Sequence, residues 1–258
     1  MGKAVLVDIT KCVGCGSCTV ACKMWNDLKY EKDSPVIGEK TTLNSKTWTT
    51  ISHKKIKKDG KEVWRFVKNQ CMHCVDPACA SACITKALSK NPDGSVVYNP
   101  SVCVGCRYCM LACPFEVPKY EWNKVLPNVA KCQMCSTKIA NGESPACASV
   151  CPTNALTYGE RQEIVKLAKE RIMKDPSYVK HIYGEKEAGG TSWLYISDIP
   201  FEKLGFKTNL SEVALPKYTH DFIKLTPQLF LGGGALLTAL SFYTKRRNDV
   251  SEDKKKKD

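Results

Sequence analysis

The chain has 258 residues, a quarter of them charged, with a formal charge of +13 and sixteen cysteines. That length buries an ordinary core, which excludes a disulfide-stapled miniprotein, a design of secreted chains shorter than about 100 residues. The basic excess can be interpreted only after the charge of whatever the cysteines hold is counted.

In chain order, Met1 to Thr10 lacks the long apolar core of a secretory signal, and Leu6 stands where a myristoylation signal needs Ser or Thr. Ala4 to Ile9 reads as a short apolar strand feeding a first cysteine group, Cys12, Cys15, Cys18 and Cys22. Residues 31 to 62 are polar, lysine-rich and free of cysteine, and read as an insertion forming a solvated surface loop. A second group follows, Cys71, Cys74, Cys79 and Cys83, with Val75-Asp76-Pro77-Ala78 lengthening its loop. The turn Asn91-Pro92-Asp93-Gly94 leads into a strand over Ser95 to Tyr98, and then to Cys103, Cys106, Cys109 and Cys113. The fourth group is Cys132, Cys135, Cys147 and Cys151, with Asn141-Gly142-Glu143-Ser144-Pro145 as turn material inside it. Beyond Cys151-Pro152, Ile164, Leu167, Ala168 and Ile172 recur at helical spacing within Glu163 to Lys174, an amphipathic helix that packs on the core, the favoured use, or on a partner, and that Asp175-Pro176 ends. Thr191 to Ser197 reads as a short strand.

The C-terminal segment has a different character. Leu229 to Tyr243 carries no charge, and Leu225 to Thr244 makes a mostly apolar stretch of 20 residues, roughly 30 Å of helix and enough to cross a hydrocarbon core. Lys245-Arg246-Arg247 and Lys254 to Lys257 follow, a pattern expected at a negatively charged inner membrane surface. Gly232, Gly233, Gly234, Ala235, Thr238, Ala239 and Ser241 keep much of this helix slim, which favours close approach of another membrane helix.

The first and third cysteine groups match the C-x2-C-x2-C-x3-C run of bacterial ferredoxins, the third followed by Pro114. A tight loop with cysteines at that spacing wraps one corner of a cubane. The fourth cysteine is expected to open a helix leading away and to reach the neighbouring cluster, so that groups work in pairs. Lys23 and Ile84 stand where proline often follows the last cysteine, but no ligand is lost. Structural zinc also uses paired C-x2-C groups, yet such sites stop at two pairs or recruit histidine, and the chain has four histidines in all. Four complete sets imply four 4Fe-4S clusters and a chain that moves electrons. With clusters counted, the net charge falls to about +5, and nucleic acid is not needed to explain it. Arg107, between Cys106 and Cys109, either raises a nearby potential or forms a salt bridge. No C-x-x-C-H haem site or G-x-G-x-x-G loop occurs, so no substrate chemistry is visible and no catalytic residue is assigned.

The segment Lys68-Asn69-Gln70-Cys71-Met72-His73-Cys74-Val75-Asp76-Pro77 and the run CVGCRYCMLACPFEVPK from Cys103 to Lys119 resemble the four-cluster iron-sulfur subunits of membrane oxidoreductases, in the molybdopterin oxidoreductase iron-sulfur subunit family. The resemblance covers Val5 to Tyr158 and extends to Gly189-Gly190-Thr191 and Ile199 to Leu204, which are similar to the beta subunit of respiratory formate dehydrogenase and the ferredoxin-like subunit of respiratory nickel-iron hydrogenase. Leu43 to Thr49 is closer to formate dehydrogenase.

The resemblance implies crossed ligand sets: Cys12, Cys15, Cys18 and Cys151; Cys132, Cys135, Cys147 and Cys22; Cys71, Cys74, Cys79 and Cys113; Cys103, Cys106, Cys109 and Cys83. It further implies electron passage in the order first group, fourth, second, third. The implied partners are a molybdenum or tungsten formate dehydrogenase or a nickel-iron hydrogenase large subunit, and a quinone-reactive integral membrane subunit.

The expected fold is α+β, two nested ferredoxin-like dicluster units with one C-terminal transmembrane helix. Residues 1–30 and 126–160 form the first unit and 63–125 the second, with 31–62 an insertion and 161–221 a helix-strand extension. The membrane helix is expected over 222–244 and a basic cytoplasmic tail over 245–258. This topology puts the four-cluster body on the extracytoplasmic side of the inner membrane. The body is expected to fold inside and to cross with a signal-bearing partner.

Overall fold

Ala4–Ile9 is apolar at nearly every position because both of its faces are covered. The computed structural model describes residues 2–30, 42–122, 124–125 and 127–255. Residues 31–41 of the expected insertion and 256–258 of the basic tail lie outside the described residues. In chain order the elements are β1 (Lys3–Asp8), α1 (Ser17–Trp25), β2 (Thr50–Lys58), β3 (Lys61–Asn69), α2 (Ala78–Ser81), β4 (Leu88–Lys90), β5 (Val96–Tyr98), α3 (Tyr108–Ala112), β6 (Lys119–Tyr120) and β7 (Val129–Ala130). They continue with α4 (Ser136–Ala140), α5 (Ala146–Ser149), β8 (Leu156–Glu160), α6 (Arg161–Lys174), β9 (Trp193–Ile196), α7 (Phe201–Leu204) and α8 (Leu215–Lys255).

β1 is the centre of a three-stranded sheet, antiparallel to β8 and parallel to β9. Alternation divides its side chains between two cores. Val5, Val7 and Ile9 join Met72, Met134, Trp193, Tyr195 and Phe201 on one face, while Ala4 and Leu6 meet Ile164 and Ala168 of α6 on the other. The amphipathic helix therefore packs as its periodicity requires. The strand read over Thr191 to Ser197 is β9, which pairs in parallel with β1.

The solvated loop expected over 31–62 needs correction. Residues 50–69 form the hairpin β2–β3, paired from Thr50↔Asn69 to Lys58↔Lys61, so the structure runs across the expected boundary at 62/63. Its tip is Asp59-Gly60, with φ of 49° and 76°, the doubly left-handed turn that matches strand twist. Ile51 and Val67 are buried in the first core, with Ile56, Val63 and Phe66 against it.

The hairpin is fastened to the body through Asp198, 8 % exposed. Its carboxylate accepts from Lys58 Nζ at 2.7 Å, Arg65 Nε at 2.7 Å and Arg65 Nη2 at 2.5 Å. Burial pushes the Asp198 carboxyl up, but the bonds from Arg65 and Lys58 win and hold it at about 2. Asp198→Asn should therefore cost about 2 kcal/mol at neutral pH, read as a lower urea midpoint of the holoprotein. A carboxyl held below its ordinary value stabilises fully above about pH 4 and loses that contribution as pH falls towards 2. The difference between parent and variant should thus be flat above pH 5 and shrink below pH 4. Equal midpoints at pH 7 would rule the pair out as a fastening.

The chain divides into two compact units, Met1–Leu215 and Pro216–Asp258. The second is essentially α8, which begins at Leu215 and runs as far as Lys255, longer at both ends than the span expected over 222–244 and including part of the basic tail. One helix among the described residues, Leu215–Asn248, is long and apolar enough to cross a membrane, the mean hydropathy reaching 1.3 over its most apolar 18 residues. The hydroxyls of Thr226, Thr238 and Thr244 donate one turn back to the carbonyls of Phe222, Gly234 and Leu240. A hydroxyl satisfied within its own helix suits an apolar solvent.

Candidate metal centres

Each cysteine group folds as a loop followed by a short helix, and the backbone repeats one device four times. The residue before the second cysteine is left-handed in every group: Gly14 (φ 71°), His73 (φ 49°), Gly105 (φ 67°) and Met134 (φ 57°). In the first loop only glycine fits, because a Cβ on Gly14 would lie 2.5 Å from the Phe66 ring of the hairpin. Gly16 and Arg107, also left-handed, then cap α1 and α3.

The helices begin one residue before the third cysteine, so the expectation that the fourth cysteine opens a helix is corrected. Cys18 and Cys22 both lie within α1, Cys109 lies in α3 with Cys113 as its C-cap, and Cys79 and Cys147 lie in α2 and α5 with Cys83 and Cys151 just beyond them. The C-x3-C step is thus one helical turn.

The structure brings these thiols together across groups. A first cavity is lined by Cys12, Cys15, Cys18 and Cys151. A second is lined by Cys22, Cys132, Cys135 and Cys147. A third is lined by Cys83, Cys103, Cys106 and Cys109. The remaining four meet one another as well: burial pushes the Cys74 thiol well up, and the nearby Cys71, Cys113 and Cys79 add to it. The helices follow the same grouping, α1 packing on α5 and α2 on α3.

The sites also adjoin one another. Burial pushes Cys22 up to about 12, with further increments from Cys147, Cys135 and, across the divide, Cys18 of the first cavity. Cys132, raised chiefly by burial, feels Cys71, and Cys79, pushed by burial to about 12, feels Cys109. Cys71 and Cys132 share a small core with Val117. A line of adjacency runs from the first group to the fourth, the second and the third. Its two ends are its open parts: Cys15 and Cys106 are exposed, whereas every cysteine of the second and fourth groups is buried or partly buried.

The donor chemistry suits a sulfur-rich cluster. Thiols raised by burial are protonated at neutral pH, so metal uptake must displace protons. Buried side-chain donors also lack acceptors among the described residues, namely His73 Nε2 and Trp193 Nε1. His73 Nδ1 accepts from Val96 N at 2.8 Å, which leaves Nε2 as the donor. Trp193 lines the second cavity. The Tyr120 hydroxyl stands 2.8 Å from Cys109 Sγ. Of the two expectations for Arg107, no salt bridge is found among the described residues: the exposed side chain lines the third cavity and lies 4.6 Å from the centroid of Trp122.

Three buried residues escaped the sequence reading: Lys68 and Trp193, which line the cavities, and Lys131, whose Nζ donates to the Cys132 carbonyl, are at most 2 % exposed. A charge count does not single out either lysine, although Lys68 stands three residues before Cys71 and Lys131 immediately before Cys132.

Two families of 4Fe-4S dicluster domains match, one over residues 62–161 and one over residues 11–87. A protein of Nitratidesulfovibrio vulgaris Hildenborough is 41 % identical over 255 residues, covering 96 % of this chain and 68 % of the relative. The hydrogenase-2 operon protein HybA of Escherichia coli O157:H7 is 36 % identical over 239 residues, 78 % of this chain and 71 % of HybA. The iron-sulfur subunit of the nitrate-inducible formate dehydrogenase of Escherichia coli K12 is 36 % identical over 200 residues, 75 % of this chain and 67 % of that subunit.

Proposed function

The chain belongs to the 4Fe-4S dicluster family that includes formate dehydrogenase iron-sulfur subunits and HybA, and from that premise we propose that it is an electron relay of four clusters between a catalytic subunit and a quinone-linked membrane subunit. The observation that carries this reading is the line of thiol sites from the first group through the fourth and second to the third, exposed only at its ends. The proposed ligand sets are Cys12, Cys15, Cys18 and Cys151; Cys22, Cys132, Cys135 and Cys147; Cys71, Cys74, Cys79 and Cys113; and Cys83, Cys103, Cys106 and Cys109. The shared cavities and neighbouring thiols support all four.

Each bound cluster supplies one reversibly exchanged electron. The protein's residues hold the sulfur positions, bury most thiols of the inner two sites and leave Cys15 and Cys106 open to partners. Two nested dicluster units, 1–30 with 126–160 and 63–125, accord with the packing of α1 on α5 and α2 on α3.

The donor proposed is a formate dehydrogenase catalytic subunit. A second reading, a nickel-iron hydrogenase, is favoured by the longer match to HybA. Mass spectrometry of the copurifying large subunit separates them. We further propose that α8 crosses the inner membrane once, with the body outside and the basic end in the cytoplasm. The decisive measurement is anaerobic iron and acid-labile sulfide analysis, with about sixteen irons expected per chain. A folded chain holding zinc and no sulfide would reject the relay.

A further inference from the structure

Lysine 68 lies near the end of β3, 2 % exposed, and lines both the first and the second cavity. Its Nζ donates to Thr49 Oγ1 at 2.5 Å and to Gln70 Oε1 at 3.0 Å, and stands 4.6 Å from the centroid of Trp193. Gln70 Nε2 in turn donates to the Tyr195 hydroxyl at 2.6 Å, and that hydroxyl donates to the Lys68 carbonyl at 2.8 Å. The ammonium is therefore fixed on several sides.

Among the described residues, none of the ion pairs gives Lys68 a carboxylate partner. A buried ammonium without a counter-charge costs several kcal/mol. The acidic groups it feels are thiols of both cavities, Cys147, Cys18, Cys132 and Cys22, which outweigh the effect of burial and raise its pKa. One cation is thus shared by two thiol sites.

We propose that Lys68 is a positioning residue for the relay, whose ammonium between the first and second cavities stabilises the reduced state of both clusters and so raises both potentials together. This rests on the ligand sets proposed above. Four thiolates leave a bound 4Fe-4S core with net negative charge, and accepting an electron makes it more negative, so a fixed cation favours the reduced form. Trp193 reinforces the effect on one side only. Its indole N–H, fully buried and without an acceptor among the described residues, lies in the second cavity, where a sulfur acceptor would complete it. No cysteine of the second or third group lines either cavity, so their couples should move less.

Redox titration followed by electron paramagnetic resonance on the anaerobically purified membrane complex tests the assignment. Lys68→Met should weaken the electron affinity of two of the four couples by about tenfold each, which is 59 mV for a one-electron couple. Lys68→Arg retains the charge and should leave both couples near their parental values. Trp193→Phe removes only the N–H and should lower the second-cavity couple alone, by about fivefold. Should Lys68→Met lose iron, Lys68→Arg and Trp193→Phe still decide the matter. Full iron and sulfide with unmoved couples, or equal shifts in all four, overturn this inference alone. Absence of acid-labile sulfide from the parent overturns it together with the ligand reading.

Discussion

Serine at Cys113 should abolish or reshape the paramagnetic signal that serine at Cys71 abolishes, and leave intact the one that depends on Cys103. Cys113 belongs to the third group in sequence, but it caps α3 at the end away from its own loop and neighbours Cys71 and Cys74. Burial raises its thiol, and Cys71 is the cysteine that adds to the rise. An alkoxide is a poorer partner for iron than a thiolate, so the expected change is the loss or conversion of one cluster, about four irons of sixteen. Cys83→Ser should act reciprocally, on the signal that depends on Cys103, because Cys83 shares that cavity. Spectra grouping Cys113 with Cys103 would overturn the crossed sets.

Ending the chain after Ala214 should move it from the membrane to the soluble fraction with its iron unchanged. The cut falls immediately before α8 and leaves the compact body whole. The removed helix exposes Phe230, Leu231, Leu237 and Phe242, each more than two-thirds exposed, and a hydrocarbon solvent is what such a surface requires. In sealed spheroplasts carrying the full chain, external protease should digest the body and spare a tag placed after Asp258. The reason is the excess of seven basic over four acidic residues from Lys245 onward, against Lys217 and Lys224 near the other end. Membrane retention of the shortened chain would sink the anchor, and a protected body would sink the sidedness.

The chemistry was legible in the sequence because cluster ligation requires a particular side chain at fixed spacing, and nothing else satisfies it. Strand β1, helix α6 and strand β9 were legible from apolar periodicity. The hairpin β2–β3 was hidden by composition: its lysines suggested solvent, although Asp59-Gly60 flanked by Ile56 and Val63 is a hairpin signal. The parallel pairing of β1 with β9 could not be read, because register between strands so far apart depends on tertiary packing rather than local pattern. Lys68 and Lys131 were not singled out, for a related reason. A buried cation makes sense only beside the anion that compensates it, and spacing does not say which loop lies above which.

The central position of β1 also bears on synthesis. Its two neighbours, β8 and β9, are Leu156–Glu160 and Trp193–Ile196, so β1 leaves the ribosome long before either of its partners. At 5–20 residues per second, both edges of an apolar strand stay open for about ten seconds or more. An open apolar edge is a template for mispairing. During that interval the third cysteine group is already complete at Cys113, whereas the first awaits Cys151 across the cavity they share. Ligand sets can therefore be completed from the middle of the chain outwards, and this one sheet cannot close until Trp193–Ile196 has been made.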